Sequence, residues 1–496
     1  MLTEFLREPR IAYFTMEIAL RDEVPTYAGG LGVLAGDTVR SAADLDVPLV
    51  AVSLVSRAGN FRQEIDADGQ QIERDDLWDL AQFARPSQAK IALHIEGREV
   101  WVRSWLYVVS GLRGHRIPVL LLDTDLDDNR AEDRHITDRL YGGDEANRLK
   151  QEMVLGIGGV RMLHALGFEI RQYHLNEGHS ALLALELLRW FVRSQQEVGS
   201  GSAYDIPRVR QLCNFTTHTP VEAGHDQFSY ELVQRIVGDL VDPAELKALA
   251  GEQCLNMTRL ALNLSEYVNG VSTRHAEVSQ HSFPGFQIHA VANGVHPGTW
   301  TSPDFARLYD KTLPAWRHEP ELLSRIADQI SDEDLWTAHN SAKRALIERV
   351  NKLTGVRLRA ELPVLAFARR MTSYKRPDLL FWDIERLKRI AGSFPLQVLI
   401  AGKAHPNDQP GKELIHRLIQ HARQLSGSIP VVFLPNYGTG LALELVSGAD
   451  VWLNTPLRPL EASGTSGMKA AFNGVPSLSI LDGWWIEGCI EGVTGW

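Results

Sequence analysis

The 496-residue sequence has little cysteine, no long apolar run and no basic excess. Its three cysteines, Cys213, Cys254 and Cys489, are far apart and odd in number. They show no metal-ligand spacing, and the reading is a reduced protein with buried thiols. No run is long and apolar enough to span a bilayer, and Met1 to Arg10 lack the apolar core of a signal peptide. The expectation is a cytoplasmic protein with no membrane partner. With 51 Lys and Arg against 62 Asp and Glu the net charge is −11, which argues against nucleic acid as the main partner. A local basic pocket for a small phosphorylated ligand stays compatible with it. Histidines 174, 179, 218, 225 and 296 include no ligand pair at i, i+4 spacing, so no metal is expected.

What is present is α/β patterning over a length that exceeds one core. Val364–Ala368, Leu396–Ala401, Val431–Leu434 and Val451–Leu453 read as buried parallel strands. Asp378–Ile390, Gly411–Leu425 and Leu441–Val446 read as the helices between them. The alternation predicts a Rossmann-like parallel sheet. Earlier, Ile11–Phe14, Leu49–Leu54, Val119–Leu122, Arg171–His174 and Asn214–Thr217 read as strands, and alternation within Ile91–Trp105 as an antiparallel hairpin. Asp144–Leu166 and Ser180–Arg193 read as long helices, and Gly199–Ser202 as an exposed loop tip. Ser331-Asp-Glu-Asp334 reads as a helix start. The expected domains are 1–302 and 303–496.

Four segments carry candidate chemistry. Glu461-Ala-Ser-Gly-Thr-Ser-Gly-Met-Lys469 is a small-residue loop ending in lysine. Small residues let backbone N–H groups close round an anion, and the lysine can pair with phosphate or form a Schiff base with an aldehyde cofactor. Together these suggest pyridoxal phosphate; read alone, the run is equally a surface loop with a solvated lysine. Tyr27-Ala-Gly-Gly-Leu-Gly-Val-Leu-Ala-Gly36 is a glycine turn opening a helix, either an anion cradle or a packing turn. Arg369-Arg-Met-Thr-Ser-Tyr-Lys-Arg376 puts four cations after a parallel strand, where α/β sheets bind ligands. Asn214-Phe-Thr-Thr-His-Thr-Pro220 ends another strand with a histidine, a residue most often structural in such a place.

In chain order these segments resemble the glycogen (α-glucan) phosphorylases. That family's lysine segment is typically Glu-Ala-Ser-Gly-Thr-Gly-Asn-Met-Lys, its glycine loop Gly-Asn-Gly-Gly-Leu-Gly-Arg-Leu, and its cation run Lys-Arg-Ile-His-Glu-Tyr-Lys-Arg. Asn473-Gly474, Leu481-Asp482-Gly483, Asn176-Glu177-Gly178-His179, Arg148-Leu-Lys-Gln-Glu152, Gly402-Lys403-Ala404 and Pro435-Asn436-Tyr437 also match. The resemblance implies two Rossmann-like domains facing a central cleft, the B-type glycosyltransferase architecture. It implies phosphorolysis of α-1,4-glucan by inorganic phosphate to α-glucose 1-phosphate with retention, using pyridoxal 5′-phosphate, and it leaves room for a homodimer. It places Lys469 on the cofactor aldehyde, with Thr465, Gly464, Arg369, Tyr437 and Gly30 at the cofactor. Arg370 and Lys375 would hold the substrate phosphate. Gly29, Leu31, His218, Glu461 and Ser463 would hold the sugar, with the His218 carbonyl near the reacting carbon.

The chain departs from the family at several points. Arg369 replaces lysine, Ser466-Gly467 replaces Gly-Asn, Val33 stands for arginine, and Gly438 falls where long phosphorylases have arginine, with Arg458 a candidate substitute. The end at Trp496, soon after the lysine loop, leads to the expectation of a short form whose second domain lacks its final helices, with reduced stability or activity. A nucleotide-sugar-dependent glucan synthase and a non-catalytic glucan-binding protein stay open as alternatives.

Overall fold

The computed structural model describes residues 2–193, 202–220 and 224–496. Of the expected loop tip, Gly199, Ser200 and Gly201 lie outside the described residues. The chain divides into two compact units, Met1–Asn60 with Asp75–Ala292, and Phe61–Arg74 with Asn293–Trp496.

In the first unit a nine-stranded sheet runs in the order His289–Ala290, Tyr267–Gly270, Cys213–Thr216, Ile170–Asn176, Arg10–Phe14, Leu49–Leu54, Arg116–Asp123, Arg98–Ser110 and Arg85–Ile95. The first seven are parallel, and the last two extend the sheet as an antiparallel hairpin. Leu49–Leu54 is buried on both faces. Val50, Val52 and Leu54 join one core with Phe14 and Leu122, while Leu49 and Ala51 join another with Tyr13 and Leu121. Two-sided burial is why this strand is apolar at every position but Ser53. The helical pattern over 144–166 is Glu145–Met153, a π-helical turn at Val154–Gly158 and Gly159–Ala165. The next predicted helix is Leu182–Trp190.

The second unit holds a five-stranded parallel sheet in the order Val431–Leu434, Gln397–Ala401, Val364–Ala368, Val451–Asn454 and Ser477–Ser479. The strand order reverses beside Val364–Ala368, which puts a ligand crevice outside its C-terminal end. Phe367, Val398, Ile400 and Leu453 pack on Ile415 and Leu418 of helix Gln409–Leu425. Helix Asp332–Thr354 starts where expected. Ser331 Oγ accepts from Asp334 N at 3.2 Å and donates to Asp334 Oδ2 at 2.8 Å. The antiparallel hairpin Arg62–Ile65 and Gln71–Arg74 also belongs to this unit. Among the described residues no helix is long and apolar enough to cross a membrane.

Candidate active site

The cation run leaves the sheet of the second unit at the end of Val364–Ala368. Arg369 N donates to Ala401 O at 3.1 Å and Met371 N to Lys403 O at 2.9 Å, so the run lies along the loop after the neighbouring strand. From there Lys375 Nζ reaches Glu461 Oε2 at 2.5 Å, and Arg369 Nη1 lies 2.7 Å from the same oxygen. All three side chains are buried. Burial would raise the Glu461 pKa, but Arg369 and Lys375 pull it down to about 2. Glu461 is therefore a carboxylate at neutral pH. Arg369 Nη1 lies off the hydrogen-bonding direction and is a buried donor without a hydrogen bond. Arg376 bonds the carbonyls of Thr455 and Pro456, a structural role. Arg370 is exposed and pairs with no described residue.

Lys469 is buried, and its Nζ stands 4.0 Å from the centroid of the Trp300 ring. Asn473 fixes this pair. Its Nδ2 donates to Lys469 O at 3.0 Å and to Trp300 O at 2.7 Å, while its Oδ1 accepts from Ser302 N. Ser463 Oγ is buried and without a hydrogen-bond partner among the described residues. Gly464 sits at φ 94° and leads into helix Thr465–Ala471. The segment 482–484 clasps the loop from behind. Glu461 N donates to Asp482 Oδ2 at 2.9 Å, Trp484 N to Ser463 O at 2.9 Å, and Trp484 Nε1 to Gly464 O at 2.8 Å. Tyr437 follows Asn436, which adopts φ 54°. Gly438 opens helix Thr439–Gly448. Arg458 is exposed, and its charge is felt by Asp482.

In the first unit Gly29 precedes helix Gly30–Asp44 and Leu31 lies in its first turn. A Cβ on Gly29 or Gly30 would meet nothing within 4 Å. The turn is shaped by Glu17, whose Oε2 accepts from Ala28 N at 2.6 Å and Gly29 N at 3.0 Å. Tyr141 donates its hydroxyl to Glu17 Oε1 at 2.8 Å. His218 is held at both ends: its N donates to Glu177 Oε2 at 2.8 Å, and its Nε2 lies 2.7 Å from Asn176 Oδ1. Burial, with help from neighbouring histidines, pushes its pKa down to about 3, so the imidazole is neutral. Arg148 meets Glu152 at 3.0 Å and Asp226 at 2.8 Å. Burial, with Asp226 alongside, pushes the Glu152 pKa well above the usual carboxylate range, against the pull of Arg148.

The structure thus brings Arg369, Lys375 and Glu461 into one cluster and gives Lys469 an aromatic wall. Arg370 stands outside that ion-pair cluster. Sequence reasoning missed Trp300, Glu17 and the clasp from Trp484. Each acts across a sequence separation that no local pattern reports.

The profile of the carbohydrate phosphorylases matches residues 227–492. A maltodextrin phosphorylase of Thermococcus litoralis is 38% identical over 99% of this chain and 62% of its own length. A glycogen phosphorylase of Mycobacterium tuberculosis is 38% identical over 98% and 62%. One of Aquifex aeolicus is 36% identical over 98% and 75%. The chain spans about three fifths of the length of the first two relatives, 62% in each. Matched by the profile over more than half its length, the chain belongs to the carbohydrate phosphorylase family.

Proposed function

We propose that the protein is an α-glucan phosphorylase, a glycosyltransferase that cleaves α-1,4-glucan with inorganic phosphate to give α-glucose 1-phosphate with retention. Its two sheets are read as the Rossmann-like halves of the B-type architecture. The observation that carries the proposal is the buried Lys375–Glu461–Arg369 cluster at the ligand end of the parallel sheet. Two cations held on one carboxylate are preorganised for an oxyanion, and Arg369 Nη1 is a donor still without a hydrogen bond.

The residues fit pyridoxal 5′-phosphate. Lys469 offers a buried amine beside a flat indole, and Ser463 Oγ and Arg369 Nη1 are buried polar atoms that a polar ligand would satisfy. Lys469 would hold the aldehyde, with Thr465, Gly464, Arg369, Tyr437 and Gly30 holding the rest. When bound, the group supplies a phosphate able to exchange a proton with the substrate phosphate. The chain's own part is electrostatic. Like charges a few ångströms apart in a dry site repel by several kcal/mol, and Arg369, Arg370 and Lys375 offset that repulsion. His218, fixed by Glu177 and Asn176, aims its backbone carbonyl at the developing positive charge on the sugar. Gly29, Leu31, Glu461 and Ser463 orient the sugar. Such charge stabilisation contributes on the order of 10²–10³-fold in rate.

The test is borohydride reduction of the purified protein after incubation with pyridoxal 5′-phosphate, peptide mapping, and an assay of phosphate-dependent glucan cleavage. The expected result is an adduct on Lys469 and release of glucose 1-phosphate. No adduct on a chain that melts cooperatively, or turnover with a nucleotide sugar in place of phosphate, overturns the assignment.

A further inference from the structure

The hairpin Phe61–Arg74 is held to the rest of its unit by two glutamines rather than by an apolar face alone. Gln63 and Gln71 are 2% and 6% exposed, so their amides must find partners within the protein. Gln63 Nε2 donates to Gly402 O at 2.9 Å and to Gln71 Oε1 at 2.8 Å. Its Oε1 accepts from Asn436 N at 2.8 Å, and its own N donates to Asn436 Oδ1 at 3.2 Å. Gln71 Oε1 accepts from Ala404 N at 3.0 Å, and its Nε2 donates to Ala404 O at 2.9 Å. Flipping either amide would set donor against donor, so the network has one arrangement.

The two loops gripped here are those after Gln397–Ala401 and Val431–Leu434, at the ligand end of the sheet. Gly402 abuts the Arg369 carbonyl so closely that a Cβ there would collide with it, and Lys403 O takes the Met371 N–H. Asn436, gripped at both its N–H and its side chain, is kept at φ 54° immediately before Tyr437. An asparagine can adopt that conformation, but the surrounding bonds must hold it there.

We propose that Gln63 and Gln71 are positioning residues for the anion and cofactor site: through Gly402–Ala404 they set the run Arg369–Met371, and through Asn436 they set Tyr437. The identity of the ligands rests on the function proposed above. A displacement of the order of 1 Å in such groups costs about tenfold or more in affinity or rate.

The test compares Gln63→Leu, Gln63→Glu and, at the exposed hairpin tip, Gln70→Ala. The readouts are pyridoxal 5′-phosphate affinity, KM for phosphate and for glucan, and backbone hydrogen exchange in peptides covering 369–372, 402–404 and 434–438. Gln63→Leu is expected to speed exchange in all three peptides, weaken the cofactor about tenfold and raise KM for phosphate with KM for glucan within about twofold. Gln63→Glu keeps the acceptor for Asn436 N but loses the donor to Gly402 O. It should therefore retain slow exchange at 434–438 and lose less cofactor affinity than Gln63→Leu, because Tyr437 stays set while Arg369 does not, with phosphate binding still impaired. Gln70→Ala should match the parent. Unchanged exchange in Gln63→Leu, or altered exchange with unchanged ligand constants, overturns the proposal, as does a uniform loss in both Gln63 variants. A parent chain that takes up no cofactor sinks the phosphorylase reading instead, and the exchange pattern still reports on the clamp.

Discussion

Glu461 is placed where its removal has two opposite consequences. Its carboxylate is the counter-ion of Lys375 and Arg369 in a site all but closed to water. Breaking such a group by removing one partner typically costs about 3 kcal/mol or more, because the remaining charges stay buried and uncompensated. Glu461→Gln should therefore lower the melting temperature, and millimolar phosphate should recover part of that loss by supplying the missing negative charge. The parent should respond less to phosphate, since its carboxylate competes for the same cations. Melting curves with and without phosphate decide it; equal shifts in both proteins would show that phosphate does not reach this cluster. The pKa near 2 gives the matching pH behaviour. The stabilisation from this ion pair is whole above the ordinary carboxylate value of 4.5 and is lost as pH falls towards 2.

At the scale of elements, the glycine loop of the first unit separates packing from ligand access. A Cβ on Gly32 would lie 2.6 Å from Tyr27 Cβ and 2.7 Å from Glu17 Oε2, the oxygen that holds the amides of residues 28 and 29. Gly32→Ala should lower stability by about 1–3 kcal/mol through overpacking. Gly30→Ala faces open space, so its melt should match the parent while activity falls at least about tenfold if the loop touches ligand. Thermal melts with initial rates test the pair, and normal activity in Gly30→Ala would remove this loop from the site. Legibility follows the same physics. Val364–Ala368 was readable to the residue because it is a central parallel strand packed on both faces, and Val431–Leu434, an edge strand, because all four of its residues are apolar. Ser477–Ser479 was missed: it is short, follows Pro476 and lies at the sheet edge. The Phe61–Arg74 hairpin was missed because it buries glutamines, leaving no apolar alternation to count. Arg369 and Lys375 stand out in the sequence as cations after a strand, and Glu461 as the carboxylate opening the lysine loop, but their pairing across 86 residues and more is not legible there. Trp300 was not, because its meeting with Lys469 is made by Asn473 across the fold.

At the scale of the whole molecule, the first unit carries a charge balance that the second lacks. Burial lowers His174 and His275 to about 4, and His179 and His218 to about 3, against an ordinary 6.5. They sit neutral around the strands Ile170–Asn176 and Cys213–Thr216 and the elements beside them: His174, His218 and His275 lie within hydrogen-bond distance of Thr216, Asn176 and Ser279, and His179 Nε2 lies 3.4 Å from Asp226 Oδ2. In the unfolded chain all four take up a proton below about pH 6.5; in the folded unit they do so only near pH 3–4. Their contribution is therefore whole above pH 6.5 and declines as pH falls. Glu152 opposes them by one proton, since its pKa is raised in the folded unit and its contribution is lost as pH rises past 4.5. Near pH 5 unfolding should take up roughly three protons net, a slope of about 4 kcal/mol per pH unit at about 1.4 kcal/mol for each proton. Calorimetric scans between pH 7 and 5 should show the transition of the first unit falling steeply, with that of the second moving little. His275→Asn should flatten the slope by about one proton, and Glu152→Gln, which keeps the uncharged form, should steepen it. A slope of less than about one proton in the parent would mean that these imidazoles are hydrated in the folded protein. The neutral imidazole of His218 would then have to be given up, while the role proposed for its backbone carbonyl would stand.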